Sequence, residues 1–259
     1  MKVFIQTNRD GSFPNLNFFQ ANEGFKSLGY EIEYFYWKED FPPNSNIHSL
    51  KSNDDIQLDK EVVVVGGVPV IDWVYESLDV KNPHLVDYPE QLTDFLDRHI
   101  QIRPIKEVRQ LILNEVENGQ LNSYFIKPTA INRKKFTGHV VSRYVDLIRT
   151  SGVSDNELVW FGPAIKIYSE YRVFVHHHEI VGMKNYNGDF MVFPDVSRIQ
   201  RMVNLYSSAP VAYALDVGVT DNSTVLIEVN DANALGCYGL NPIRYATMIA
   251  DRWNEVMTQ

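Results

Sequence analysis

Apolar residues along the chain follow two periods, one of strands and one of helices. Residues 2–7 (KVFIQT) read as a strand ending in the polar turn NRDG, and a helix fits 15–28 with Leu16, Phe19, Ala21 and Phe25 near one face. Residues 31–37 (EIEYFYW) alternate charge with aromatic, the period of a half-buried strand. Residues 62–65 (VVVV) do not alternate, which predicts a central strand covered on both faces. Gly66 and Gly67 follow it, and 69–79 begins as a helix with proline near its first turn. The stretch 40–60, rich in Pro, Asn, Ser and Asp, reads as a loop. This succession is an α/β layered pattern and sets a first lobe at 1–95.

A second pattern begins near Arg103. Residues 104–117 form an amphipathic helix with proline at its start, and 123–127 (SYFIK) form a strand stopped by Pro128. The polar, basic stretch 129–138 precedes a strand at 139–143. Residues 158–167 and 170–175 read as strands separated by a short turn, and 179–184 pairs with 171–175 across three histidines. Residues 224–230 (TVLIEVN) read as a strand. The chain then predicts a helix over 241–257, with Ile243, Ala246, Ile249, Ala250 and Trp253 on one face.

Bulk composition narrows the classes. The 259 residues are 44% apolar and 22% charged, as in an ordinary globular protein. A net charge of -9 argues against broad binding to nucleic acid or an anionic membrane. One cysteine, Cys237, excludes an intrachain disulfide framework and suits a reducing cytoplasm; a buried structural thiol is its expected state. The N-terminal residues hold no apolar run that fits a signal peptide, and no stretch of roughly 18 apolar residues predicts a membrane span.

Candidate chemistry sits at strand ends. Lys127 closes an apolar strand, where its ammonium can stand at a cleft edge while its stem packs; a surface lysine fits the same pattern. The loop after it (Asn132, Arg133, Lys134, Lys135, Phe136, Thr137, Gly138) offers cations, a hydroxyl and backbone N–H groups suited to phosphates. Glu170 and Arg172, two apart in a strand, share a face, as a surface ion pair also would. Asp216 lies between apolar neighbours, and Glu228 and Asn230 project from one face of a β-branched strand. Two carboxylates and an amide oxygen make a hard oxygen site suited to Mg²⁺, with substrate phosphates completing the shell. His176 and His178 form a weaker metal candidate on a hairpin, for which a solvated turn is the simpler reading.

In this order, YFIKP, NRKKFTG, SEYRVFV, ALDVGV and LIEVNDANALGCYGL resemble the ATP-grasp superfamily. The nearest pattern is its clade named for two arginines and a lysine, found in bacteria and phages. The resemblance covers about 100–257. It implies an α/β (α+β) ATP-grasp fold with two lobes clasping ATP at 96–259, preceded by a Rossmann-like pre-ATP-grasp domain at 1–95. By the same resemblance Lys127 contacts the α- and β-phosphates, and the loop 132–138, with Lys135, Thr137 and Gly138, closes over them. Residues 163–167 hold adenine through Ala164 and Lys166, Glu170 meets the ribose hydroxyls, and Arg172 faces phosphate or the acyl substrate. Asp216, Glu228 and Asn230 carry two Mg²⁺ ions, and Arg103 is the second arginine. The implied reaction joins a carboxylate to an amine (amino acid, peptide or protein) through an acyl phosphate. Its alternatives are a phosphotransferase and a non-catalytic nucleotide-binding module.

One departure is Ala214, two residues before Asp216, where many amino-acid ligases of this fold carry an arginine. Either Arg172, Lys184 or Arg103 then neutralises the γ-phosphate, or the phosphate is oriented differently. Tyr186, Asn185 and Arg198 are the candidates for the acceptor pocket.

Overall fold

A computed structural model describes residues 1–38, 51–83, 87–129 and 135–259. Three four-stranded sheets follow one another along the chain. The first contains β1 (Lys2–Thr7), β2 (Glu31–Tyr36), β3 (Lys51–Ser52) and β4 (Val63–Val65) in the order β3-β2-β1-β4, with every pair parallel. The expected loop at 40–60 therefore holds the short strand β3 and a turn of 3-10 helix at Asn53–Asp55; its residues 40–50 lie outside the described residues. β4 stands at a hydrogen-bonded edge rather than the centre. Its three valines are nonetheless buried, because helices pack on the strand, and an unbroken apolar run reports burial rather than position in the sheet.

Two helices flank this sheet, α1 (Leu16–Ser27) and α2 (Val68–Ser77). The Asn15 side chain accepts from the Asn17 N–H and so starts α1. The buried stripe of α1 is Phe18, Ala21, Asn22 and Phe25, at helical spacings of three and four, while Leu16 and Phe19 face solvent. Ala21 and Phe25 of the expected face are thus buried, and Phe18 takes the place expected for Leu16 and Phe19.

The second sheet contains β5 (Gln101–Pro104), β6 (Tyr124–Pro128), β7 (His139–Val141) and β8 (Leu158–Pro163), all antiparallel, in the order β5-β8-β6-β7. Helix α3 (Ile105–Glu117) covers one face, burying Ile105, Val108 and Ile112 against Ile126, Val159 and Phe161. The third sheet contains β9 (Ser169–His176), β10 (Glu179–Gly188), β11 (Ala212–Val219) and β12 (Thr224–Asp231), antiparallel in the order β10-β9-β11-β12. The strand expected over 158–167 stops at Pro163. Residues 164–167 pass from the second sheet to the third, so β8 and β9 are not a hairpin, whereas β9 and β10 are.

The third sheet has two unlike faces. Tyr171, Val173, Val175, Leu215 and Val217 pack on Ile199, Met202 and Val203 of α4 (Val196–Leu205). Phe174, Ala212 and Ala214 point the other way, into a core shared with the first sheet and with α5 (Pro242–Met257). Residues from both sides of position 95 meet in this core: Gly24 of α1 approaches α5 so closely that a Cβ there would sit 2.1 Å from the Pro242 carbonyl oxygen. Ala246, Ile249, Ala250 and Trp253 are buried as expected, but Ile243, in the first turn of α5, is 45% exposed. Among the described residues, no helix is long and apolar enough to cross a membrane.

Candidate functional site

Strand register aligns one row of side chains across the third sheet. Lys184 on β10 lies opposite Arg172 on β9, Arg172 opposite Asp216 on β11, and Asp216 opposite Glu228 on β12. Directly opposite residues in an antiparallel pair share a face, so all four point the same way. The register shift after Asp216 and Glu228 skips one residue of β12, and carries that row past a bulge. Toward the α5 end, this face is apolar and covered by the first lobe. Toward the row, the cover ends and the side chains become charged.

Arg172 grips Asp216 through Nε and Nη2, each 2.7 Å from a carboxylate oxygen. Its guanidinium lies over the Tyr238 ring, 4.6 Å from the centroid. Asn230 donates its amide nitrogen to both Asp216 and Glu228, at 3.1 Å each. Across the cleft, Lys127 of β6 reaches Glu228 at 2.5 Å and Asp87 at 3.3 Å. Lys127 and Glu228 come from different sheets, so the expected meeting of lysine and oxygen ligands is a contact in the folded chain. The cleft between them encloses about 510 Å³ and is lined by Asp87, Lys127, Phe136, Thr137, Gly138, Glu228 and Asn230, with Pro128 at its wall.

Burial works against these charges, and their partners decide the outcome. Burial pushes the Glu228 carboxyl up, but Lys127 outweighs it and holds the group below the ordinary range. The same contact holds the Lys127 ammonium above its ordinary value against desolvation. Asp216 moves the other way: burial, with Glu228 and Glu170 nearby, raises its carboxyl despite the two bonds from Arg172. Negative charge here is incompletely offset, which is the setting a divalent cation fits. Asp216, Glu228 and Asn230 supply the hard oxygen donors such an ion takes, provided the Asn230 amide turns to present its oxygen.

Other expected residues divide between cleft and periphery. Glu170 is on the face of Arg172 and accepts from Asn187 Nδ2 at 3.1 Å. Thr137 and Gly138 line the cleft, and Gly138 packs closely there, since a Cβ would stand 2.8 Å from the Lys127 Cβ and force a shift. Lys135 instead pairs with Glu157 at 2.9 Å, and Asn132, Arg133 and Lys134 lie outside the described residues. Ala164 donates its N–H to the Ser123 carbonyl, while the Lys166 ammonium turns to the Tyr168 hydroxyl at 2.8 Å. Arg103 is not brought to the cleft. It lies opposite Val159, on the face that packs against α3, whereas Lys127 lies opposite Trp160 on the other.

Among the acceptor candidates, Tyr186 stands at the site, stacked on Tyr238 at 5.2 Å between centroids. Burial raises its phenol well above the ordinary value, and Asp216 and Glu170 add to that. Asn185 is spent on Ser169 Oγ and two backbone carbonyls. Arg198 of α4 is on the opposite face, bonded to Thr224 O and Asp97. Ala214 is fully buried beneath the first lobe, where an arginine would not fit; the cation nearest Asp216 is Arg172, from the neighbouring strand.

Three neighbours had no signal in the sequence. Asp87, 2% exposed, accepts from Trp160 Nε1 at 3.1 Å and receives Val229 N–H at its carbonyl, so it bridges the second and third sheets behind Lys127. Tyr88 packs edge-on against Trp160, and burial pushes its phenol up to about 12. Arg98 lies over the Phe125 ring, two residues from Lys127 on the same face, and burial lowers its pKa. All three fall in 84–100, a stretch without helical or strand periodicity.

Comparison with known proteins adds a family. The model described as "ATP-grasp domain, R2K clade family 2" matches residues 95–248. Among solved structures the chain is similar to D-cycloserine synthetase DcsG, with TM-score 0.59 and 12% identity over 98% of this chain and 100% of that one. It is similar to D-alanine–D-alanine ligase from Bacillus anthracis, with TM-score 0.55 and 13% identity over 99% and 98%. A RimK domain ATP-grasp protein from Sphaerobacter thermophilus DSM 20745 gives TM-score 0.53 and 15% identity over 97% and 99%. These likenesses are of fold. No curated protein sequence matches the chain.

Proposed function

The chain belongs to the ATP-grasp domain family, matched over residues 95–248, and from that premise we propose that it is an ATP-dependent carboxylate–amine ligase. The observation that carries this reading is the meeting of Lys127 from the second sheet with Asp216, Glu228 and Asn230 from the third across one cleft. In the proposed reaction a carboxylate oxygen attacks the γ-phosphorus of ATP, and the bond to the bridging oxygen breaks to release ADP. An amine then attacks the acyl carbon, phosphate leaves with the bonding pair, and the nitrogen loses its proton. Asp216, Glu228 and Asn230 would hold two magnesium ions, which would supply charge to offset the phosphate oxygens.

The chain's own residues take distinct parts. Lys127 binds and orients the α- and β-phosphates, with Asp87 and Trp160 fixing its direction from behind. Arg172, held in place by Asp216, is the cation for the transferring phosphate. Glu170 takes the ribose hydroxyls, and the backbone of 163–167 takes adenine as it passes between the sheets. Thr137 and Gly138 close the cleft and exclude water that would hydrolyse the acyl phosphate. In this reading residues 1–95 are the pre-ATP-grasp domain and 96–259 the ATP-grasp domain.

The test is ADP release by the purified chain with pooled amino acids and peptides, followed by mass spectrometry of the adduct. Glu228→Gln combined with Asn230→Ala is expected to lower Mg-dependent release by about 10³-fold with unchanged circular dichroism. Undiminished release in that variant would remove the metal assignment. A stable phosphorylated product formed without an amine would make the protein a phosphotransferase, and ATP binding without ADP release a nucleotide-binding module.

A further inference from the structure

β9 and β10 are joined by His177 and His178, which occupy the two central positions of the turn with φ of 50° and 62°. Tight two-residue hairpin turns need positive φ at both positions and usually take Asn-Gly. Histidine tolerates the left-handed region better than most residues, but two in succession are uncommon. The geometry has a consequence for side-chain direction. In a regular strand His176 and His177 would point to opposite faces. Here the left-handed backbone at His177 turns its ring back beside that of His176, with centroids 4.3 Å apart. The His177 N–H bonded to the Val211 carbonyl at 2.8 Å holds that conformation.

Both rings meet one side chain of α5. His176 Nε2 is 2.8 Å, and His177 Nε2 3.2 Å, from the same Oδ2 atom of Asp251. The three ligand atoms all lie within 4.8 Å of one another. A tetrahedral ion with bonds of about 2.0–2.1 Å holds its ligands roughly 3.3 Å apart, so small ring movements bring this set to metal geometry. His176 is mostly enclosed, with its side chain 14% exposed, and His177 is open to solvent at 64%. The set therefore has a rigid side and an entry side where water can complete the shell. Arg252, next in α5, does not compete for the site, because it is turned to Asp231 and Glu255.

We propose that His176, His177 and Asp251 bind a divalent transition-metal ion of the zinc class, with water as the fourth ligand. The donor set of two imidazoles and one carboxylate favours such an ion over magnesium. No redox step or net proton is needed. Each neutral imidazole carries its proton on Nδ1 when Nε2 turns its lone pair to the ion, and the carboxylate is already anionic. The ion pins the β9–β10 turn to α5, the helix that packs on the first lobe. His176 is four residues along β9 from Arg172, about 13 Å, so the site is separate from the nucleotide cleft and independent of the ligase reading.

The experiment uses the full chain without a histidine tag, stripped with chelator and titrated with Zn²⁺ by calorimetry in excess Mg²⁺. One saturable equivalent is expected, with a rise in thermal midpoint on loading. His177→Ala, an exposed turn substitution, is expected to weaken Zn²⁺ binding at least tenfold and abolish the midpoint shift. Asp251→Asn should do the same, whereas His178→Ala should leave binding within twofold. Absence of saturable binding by the unmodified chain, or equal binding by His177→Ala, overturns the site.

Discussion

Arg172 holds Asp216 through two bonds of 2.7 Å at the cleft, and Arg252 holds Asp231 through bonds of 2.8 and 2.7 Å beneath α5. All four side chains are nearly buried. Their surroundings differ. Asp231 also caps the Asn233 N–H, and Arg252 shares Glu255, which in turn accepts from the Val211 N–H. Both Asp231 oxygens are bonded to Arg252, and the network ties α5 to the end of β12 and to the residue before β11. At the cleft, Asp216 also faces Asn230 and is raised by burial and by the Glu228 and Glu170 charges. One face of the Arg172 guanidinium lies against an exposed tyrosine ring, and Nη1 has a long contact of 3.5 Å to the Gly236 carbonyl. The same ion-pair geometry thus serves architecture in one place and is available for chemistry in the other. What separates them is whether the carboxylates near the pair are themselves satisfied.

Removing each arginine tests that contrast. Arg252→Ala leaves Asp231 buried without its cation, and the expected loss is about 3–5 kcal/mol of folding stability in urea unfolding. ATP affinity of the folded fraction should be unchanged, and a loss below about 1 kcal/mol would break the distinction. Arg172→Ala should act chiefly on rate, lowering ADP release about 10²–10³-fold, or roughly 3–4 kcal/mol of transition-state stabilisation. Its stability loss should be smaller and depend on pH. Without Arg172, the folded Asp216 carboxyl rises further above its unfolded value, so the native state holds the extra proton. The variant should therefore be near wild-type stability below the unfolded carboxylate pKa and lose stability as pH rises toward the folded one. A loss independent of pH between 4 and 8 would place the unpaired charge elsewhere.

Within single strands the pattern was legible, because alternation puts Glu170 with Arg172 on one face of β9 and Glu228 with Asn230 on one face of β12, whereas β11 was not read as a strand and the alignment of Asp216 with the others comes from pairing register. Lys127 was legible as a strand end, and Gly138 as a glycine close behind it. The sequence could not say that β8 and β9 belong to different sheets, since local period carries no information about partners. Nor could it place β4 at an edge, which depends on its pairing with β1 alone, or put Phe18 rather than Phe19 in the α1 stripe, which depends on how α1 packs against α5. Asp87 and Arg98 were missed for a related reason: they lie on irregular backbone, and their position comes from packing against Trp160 and Phe125. Arg198 was misleading because its candidacy rested on charge alone, and α4 covers the far face of the sheet.

Gly138→Ala probes the approach of the closing loop to Lys127. The new Cβ would meet the Lys127 Cβ at 2.8 Å and the Phe125 ring at 3.4 Å, so loop or strand must shift to admit it. Because Lys127 is fixed between Glu228 and Asp87, the loop is the part that moves. The expected result is a rise of about tenfold in the KM for ATP, equivalent to roughly 1.4 kcal/mol, with the thermal midpoint little changed. A fall in stability with unaltered KM would mean that the loop packs against Lys127 for structure alone.

Arg103→Ala carries the smallest expected effect and sharpens the comparison most. Arg103 is a cation on the second sheet, one strand from the β8 residues that face Lys127, and a resemblance of motifs alone makes it a catalytic arginine. Register assigns it to the other face, opposite Val159, with the Gln101 side chain as its partner. The sheet stands between that face and the charged groups of the cleft. Substitution should leave ADP release within about threefold and stability within about 0.5 kcal/mol, the range of surface changes away from caps and networks. A loss approaching that of Arg172→Ala would require β5 to move during turnover, bringing Arg103 around the sheet edge. If the loss is small, cationic assistance at the cleft rests with Lys127 of the second sheet and with Arg172 and its row-mate Lys184 of the third.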